Sequence, residues 1–163
     1  MQASPEIKAA MSAFQEGDLD LAERFCQSRL KINAFDANAL DVLGLILHRR
    51  GDSEGALKYI RNAICLDGRQ ANFHSHLGII LKQTGKLDEA KKAYLTALSI
   101  EPDSPGVIFN LALLCRQMGD LDEALNLSKK AVSLDPGSDV AHNNLGTAFQ
   151  ENGLYENALA AYL

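Results

Sequence analysis

No uninterrupted apolar run long enough to cross a bilayer occurs anywhere in the sequence, so a membrane-spanning helix is excluded. Cysteine is scarce too: Cys26, Cys65 and Cys115 are odd in number and form no CxxC pair. That count supports neither a disulfide framework nor a clustered zinc site, and reduced thiols fit best. The N-terminal stretch Met-Gln-Ala-Ser-Pro-Glu has no cationic segment followed by an apolar one. A cleaved secretion signal is therefore not expected, and the cytoplasm is the expected compartment. Basic clusters are missing as well. With a formal net charge of −5 and no Lys/Arg-rich segment, the chain is not expected to bind nucleic acid.

Catalytic chemistry is equally hard to assemble. No Ser-His-Asp ordering, glycine-rich nucleotide turn or carboxylate pair in a credible pocket can be picked out. The stretch from Gly78 to Lys86 ends in Gly-Lys, but its spacing is wrong for a phosphate loop, and neither Ser nor Thr follows the lysine. His74 and His76 stand two residues apart, which on a helix turns them about 200° from one another and prevents a shared metal site. Neither a cofactor nor an enzymatic activity is expected of these residues.

What is present is a period. Glycine recurs at positions 17, 51, 85, 119 and 153, always 34 residues apart, and Ala22, Ala56, Ala90, Ala124 and Ala158 keep the same step five residues later. Within 71–104, His74, Leu77, Gly78 and Leu81 follow helical spacing. After Gly85 a second helical series runs through Leu87, Ala90, Tyr94, Ala97 and Leu98. The unit is a helical hairpin. Gly85 closes the first helix in the left-handed conformation that other residues adopt at a cost, and Pro102 stops the second. Gly78 and Ala90 mark where the two backbones come close, since larger side chains there would force the helices apart. Asp88-Glu89 and Asp122-Glu123 open second helices, where negative charge favours the helix dipole. Cys26 and Cys115 fall on packing rows and read as small buried hydrophobes.

These features resemble the tetratricopeptide repeat: a small residue after Leu in the first helix, Gly at the turn, Ala and then an aromatic in the second helix, Pro at its end. Residues 37–70 show Leu43-Gly44, Leu47, Gly51, Ala56, Ile60 and Ala63, with Gly68 in place of the proline. Residues 105–138 show Leu111-Ala112, Cys115, Gly119, Ala124, Ala131 and Pro136, with Ser128 where the aromatic belongs. The resemblance implies an all-α fold, an α-α superhelix of antiparallel helix pairs, as a single domain over 1–163. Its repeats would be about 3–36, 37–70, 71–104, 105–138 and an incomplete 139–163. The first repeat has Ala9, Ala10 and Ala13 where larger residues are usual, which suits an end cap. The fifth stops at Leu163 part-way through its second helix, as expected of a piece of a longer protein.

The resemblance further implies that first helices line a concave groove, which makes its surface readable. The positions opposite the packing face are Asn38, Asp41, Leu45 and His48; Asn72, Ser75, Ile79 and Lys82; Gly106, Phe109, Leu113 and Arg116; Val140, Asn143, Thr147 and Gln150. A basic row, His48, Lys82, Arg116 and Gln150, suits an acidic extended peptide. A second row is Val42, His76, Asn110 and Asn144, of which the last three can donate to a peptide backbone; it looks like part of the asparagine ladder in the arms of O-linked N-acetylglucosamine transferases and their bacterial relatives, broken by Val42 and Lys8 and so spanning at most three repeats. The third row, Leu45, Ile79, Leu113 and Thr147 with Phe109 nearby, places apolar groups on a surface expected to be open. The Lys and Asn pattern with which some family members clamp a chaperone's C-terminal carboxylate is not matched: Ile7 and Met11, or Asp41 and Leu45, or Ser75 and Ile79, stand there instead.

The leading expectation is a non-enzymatic scaffold that binds a protein or peptide segment in this groove. Two alternatives stand beside it. One is the N-terminal targeting arm of a larger transferase; the other is a homo-oligomer formed through the terminal repeats, where Leu145, Phe149 and Tyr162 would be exposed.

Overall fold

In the computed structural model, which describes residues 4–162, every element is helical and no strand occurs among the described residues. The helices are α1 (Pro5–Glu16), α2 (Leu19–Ile32), α3 (Ala37–Arg49), α4 (Ser53–Leu66), α5 (Ala71–Gln83), α6 (Leu87–Ile100), α7 (Pro105–Met118), α8 (Leu121–Leu134), α9 (Asp139–Glu151) and α10 (Tyr155–Tyr162). Residues 3 and 163, the outer limits expected for the first and last repeats, lie outside the described residues. Punctuation follows the sequence period. Gly17, Gly51, Gly85, Gly119 and Gly153 all have φ between 75° and 89°, so each within-repeat turn passes through the left-handed region. Asp18, Asp36 and Asp52 cap α2, α3 and α4 by accepting from the amides of Leu21, Ala39 and Gly55 at 2.9, 3.1 and 2.9 Å.

The chain divides into two compact units, one ending at Thr84 and the other starting at Gly85. In the first, α1 to α4 pack as hairpins and α5 stacks on them. Its core gathers Ile7, Ala10 and Ala13 of α1, Ala22 and Cys26 of α2, and Ala39, Val42, Leu43 and Ile46 of α3. The small side chains of α1 are thus packing residues, and burial pushes the Cys26 thiol up to about 12. The close approach expected at the small residue after Leu is seen at Gly44. A Cβ there would stand 2.5 Å from Cγ1 of Ile60, which is wholly buried on α4.

The second unit repeats the scheme with α7 on α8 and α9 on α10, while α6 packs on α7 and α8 on α9. Its buried side chains include Ile108, Leu111, Leu114 and Cys115 of α7 and Ala124, Leu125 and Ser128 of α8. Gly146 lets the Tyr162 ring lie against α9, where any Cβ would collide with it.

Tyr94 on α6 is fully buried, and its hydroxyl has no hydrogen-bond partner among the described residues. Burial raises its pKa. Because an unsatisfied buried hydroxyl is a cost, Tyr94→Phe is expected to leave stability unchanged or raise it by about 1 kcal/mol, read as the midpoint of urea unfolding. A clear loss would show that the hydroxyl is bonded after all.

Candidate functional site

Between α7, α8 and α9, all in the second unit, lies a cavity of about 220 Å³. Phe109, Ala112, Leu113 and Arg116 form its α7 wall, Ser128 and Ala131 of α8 its floor, and Val140, Ala141 and Asn144 its α9 wall, with Asp135 and Ser138 at the rim. Six residues singled out from the sequence, Gly106, Phe109, Leu113, Arg116, Val140 and Asn144, meet here. Phe109 and Leu113 are half-buried and Val140 is 62% exposed, so apolar surface does face the opening.

Ser128 explains the space. The same step that spaces the glycines puts Cys26, Ile60, Tyr94 and Tyr162 at its position in the other repeats; Ser128 is smaller than the last three and turns inward to donate from Oγ to the Ala124 carbonyl at 2.9 Å. Ala141 is the second small residue, for Phe73 occupies the equivalent position two repeats earlier. In the first unit, accordingly, Ile60 is 0% and Phe73 is 3% exposed. The residues equivalent to Leu113 and Phe109 are buried there: Leu45 at 9% and Asp41 at 5%. Both were expected on an open groove and are instead enclosed. Asp41 also has a local partner, since His76 Nδ1–H donates to both of its carboxylate oxygens at 2.9 Å, tying α5 to α3. A carboxylate only accepts, so Nδ1 carries the proton.

The basic row is not a run of free cations. Arg116 is held by Glu151 in a two-pronged pair, Nε to Oε2 at 2.7 Å and a second contact from Nη2 to Oε1. That pairing raises the guanidinium's pKa and lowers the carboxyl's. His48 is half-buried, and its Nδ1 has no partner among the described residues. Lys82 and Ile79 are half-buried on α5. The donor row is likewise partly spent. Asn144 Nδ2 donates to the Val140 carbonyl at 2.7 Å, and His76 is engaged by Asp41; Asn110 is half-buried on α7. Thr147 bonds the Asn143 carbonyl of its own helix at 2.9 Å, and Asn143 is exposed.

One further cluster was missed in the sequence because the cation that binds it together, Lys91, comes from the preceding repeat. Cys115, Asp120 and Glu123 converge near the α7–α8 turn, where Lys91 Nζ of α6 pairs with Asp120 at 2.8 Å and Glu123 at 2.6 Å. The ammonium satisfies both carboxylates, and burial pushes the thiol up to about 11, so the chemistry is that of an ion-pair clamp between α6 and α8.

The helix pairs, their glycine turns and their small contact residues agree with two family models, each described as tetratricopeptide repeat, which match residues 69–137 and 39–71. The chain belongs to the tetratricopeptide repeat family. Among solved structures, MamA (residues 41 to the end) from Desulfovibrio magneticus RS-1 is similar at 18% identity and a TM-score of 0.80, over 99% of this chain and 93% of that one. The Pseudomonas aeruginosa pilF structure is similar at 21% identity and a TM-score of 0.89, over 96% of this chain and 72% of that one. A structure of Naa15/Naa10 bound to HypK-THB aligns at 23% identity and a TM-score of 0.77, over 96% of this chain but 24% of that one. These likenesses concern the fold. No curated protein sequence matches the chain. Its tetratricopeptide repeats form the frame of a protein-interaction scaffold, and no helix among the described residues is long and apolar enough to cross a membrane.

Proposed function

We propose that the chain captures a peptide or protein segment at its first-helix surface, with the cavity between α7, α8 and α9 as the principal contact. The observation that carries this reading is the apolar surface of Phe109, Leu113 and Val140 facing an opening that the packed helices leave unfilled. A hydrophobic centre with a few polar groups around it is the usual composition of a binding patch, and the scaffold frame supplies rigid walls for it. The polar members are Arg116, fixed by Glu151, and Asn144, whose carbonyl oxygen is left free by the bond that its amide makes to Val140.

Selection of a random linear peptide library on the immobilised chain tests the reading. Enriched peptides are expected to lose at least about tenfold in affinity on Leu113→Asp, which puts a charge on the cavity wall. Circular dichroism should be unchanged, because Leu113 is half-exposed. Failure to enrich any peptide, or equal binding to the variant, would move the function away from this site.

A further inference from the structure

We propose that the cavity selects an aromatic side chain, supplied by a partner segment that carries Lys or Arg next to the ring. The proposal rests on the groove reading above and adds the chemistry of the ligand. Its first support is internal to the chain. Where the first unit closes the equivalent space, it does so with Ile60 on the floor and the phenyl ring of Phe73 on the wall. The second unit keeps the frame but has Ser128 and Ala141 at those places. What is missing is branched aliphatic volume and a ring, in a slot whose inner lining includes the apolar Ala112, Leu113 and Ala131, with the polar Arg116 and Asn144 on its walls. The Phe109 ring beside it adds an aromatic partner for an incoming one. The Ser128 proton is already donated to the Ala124 carbonyl, so the floor has no spare donor for a polar ligand.

Charge at the rim decides what flanks the ring. Glu151 cancels Arg116 through the two-pronged pair. Asp135 is exposed, has no ion-pair partner among the described residues, and stands at the C-cap of α8, where the helix dipole is negative. The mouth is therefore net negative, and a cation beside the incoming ring meets Asp135 and the end of α8. An acidic peptide, which the row of basic residues in the sequence favours, meets repulsion instead, because the arginine in that row is already neutralised.

The test uses the full chain, labelled with ¹⁵N, and three blocked pentapeptides: Gly-Lys-Phe-Lys-Gly, Gly-Glu-Phe-Glu-Gly and Gly-Lys-Ser-Lys-Gly. The first is expected to shift the amides of Val140, Ala141 and Leu113 in a saturable way. The glutamate version should bind at least about tenfold more weakly, a difference that shrinks in high salt, and the serine version should leave the amides in place. The paired replacement Ser128→Ile with Ala141→Phe, borrowed from the first unit, should abolish the shifts while raising the unfolding temperature. Should that variant not fold, Ser128→Ile alone and the three titrations still decide. Library peptides that bind at Leu113 without any ring, or equal binding of the Glu and Lys peptides, would overturn this inference while leaving the groove reading intact. A library that enriches nothing removes the groove reading, and this inference with it.

Discussion

Gly44→Val is expected to lower the stability of the chain by about 3 kcal/mol, seen as a large drop in the urea midpoint. A Cβ at this position would lie 2.5 Å from Ile60 Cγ1 and 3.1 Å from the Ala56 carbonyl oxygen, both on α4. Neither neighbour can yield cheaply. Ala56 and Ile60 are fully buried, so a shift of either pushes on packed side chains, and the carbonyl belongs to the helix backbone. Valine adds two methyls to that collision. Gly106→Ala is the control: nothing lies within 4 Å of its added Cβ, it sits in the first turn of α7, and its midpoint should hold or rise slightly. Adding Ile60→Ala to Gly44→Val should cost much less than the sum of the two changes, because it removes the struck atoms. A Gly44→Val midpoint equal to that of the parent would mean that α3 and α4 do not approach as described.

The same close approach shows what the sequence makes legible. The step of 34 residues locates turns, helix pairs and small contact positions, since these depend on backbone geometry that every repeat must satisfy. It locates openness poorly. Leu45 and Leu113 hold the same register two repeats apart, yet Leu45 is 9% exposed while Leu113 lines a cavity. Exposure at one position depends on side-chain volumes on two neighbouring helices, and these vary where the frame does not. The clue at Ser128 was visible as a lost aromatic; its partner Ala141 gains meaning only beside Phe73. Ion pairs were harder still. Glu151 reaches Arg116 from the next first helix, and Lys91 reaches Asp120 and Glu123 from the preceding hairpin, so no local spacing announces either. Of the residues expected to be exposed in the last repeat, Tyr162 is 46% exposed, whereas Leu145 and Phe149 are half-buried on α9.

His76→Ala is the second change expected to have a large effect, at about 2–3 kcal/mol. Asp41 keeps only 6% of its side chain exposed, and the imidazole N–H is the hydrogen-bond donor that the structure shows for it. Deleting the ring strands a carboxylate in a place that water barely reaches. The cost should come from that stranding and not from the value of the pair itself, which a double replacement separates. Asp41→Leu with His76→Leu removes donor and acceptor together and should fall within about 1 kcal/mol of the parent, giving a coupling of opposite sign to the single loss. In the second unit the equivalent positions hold Phe109 and Asn144, with no charge to strand. Asn144 bonds its own helix at Val140, and Asn144→Ala should move the midpoint by less than about 0.5 kcal/mol. A large effect at 76 beside a small one at 144 follows if the first unit holds a closed strut where the second keeps an open wall. Equal effects at the two positions would mean that the cavity is not the point at which the units differ.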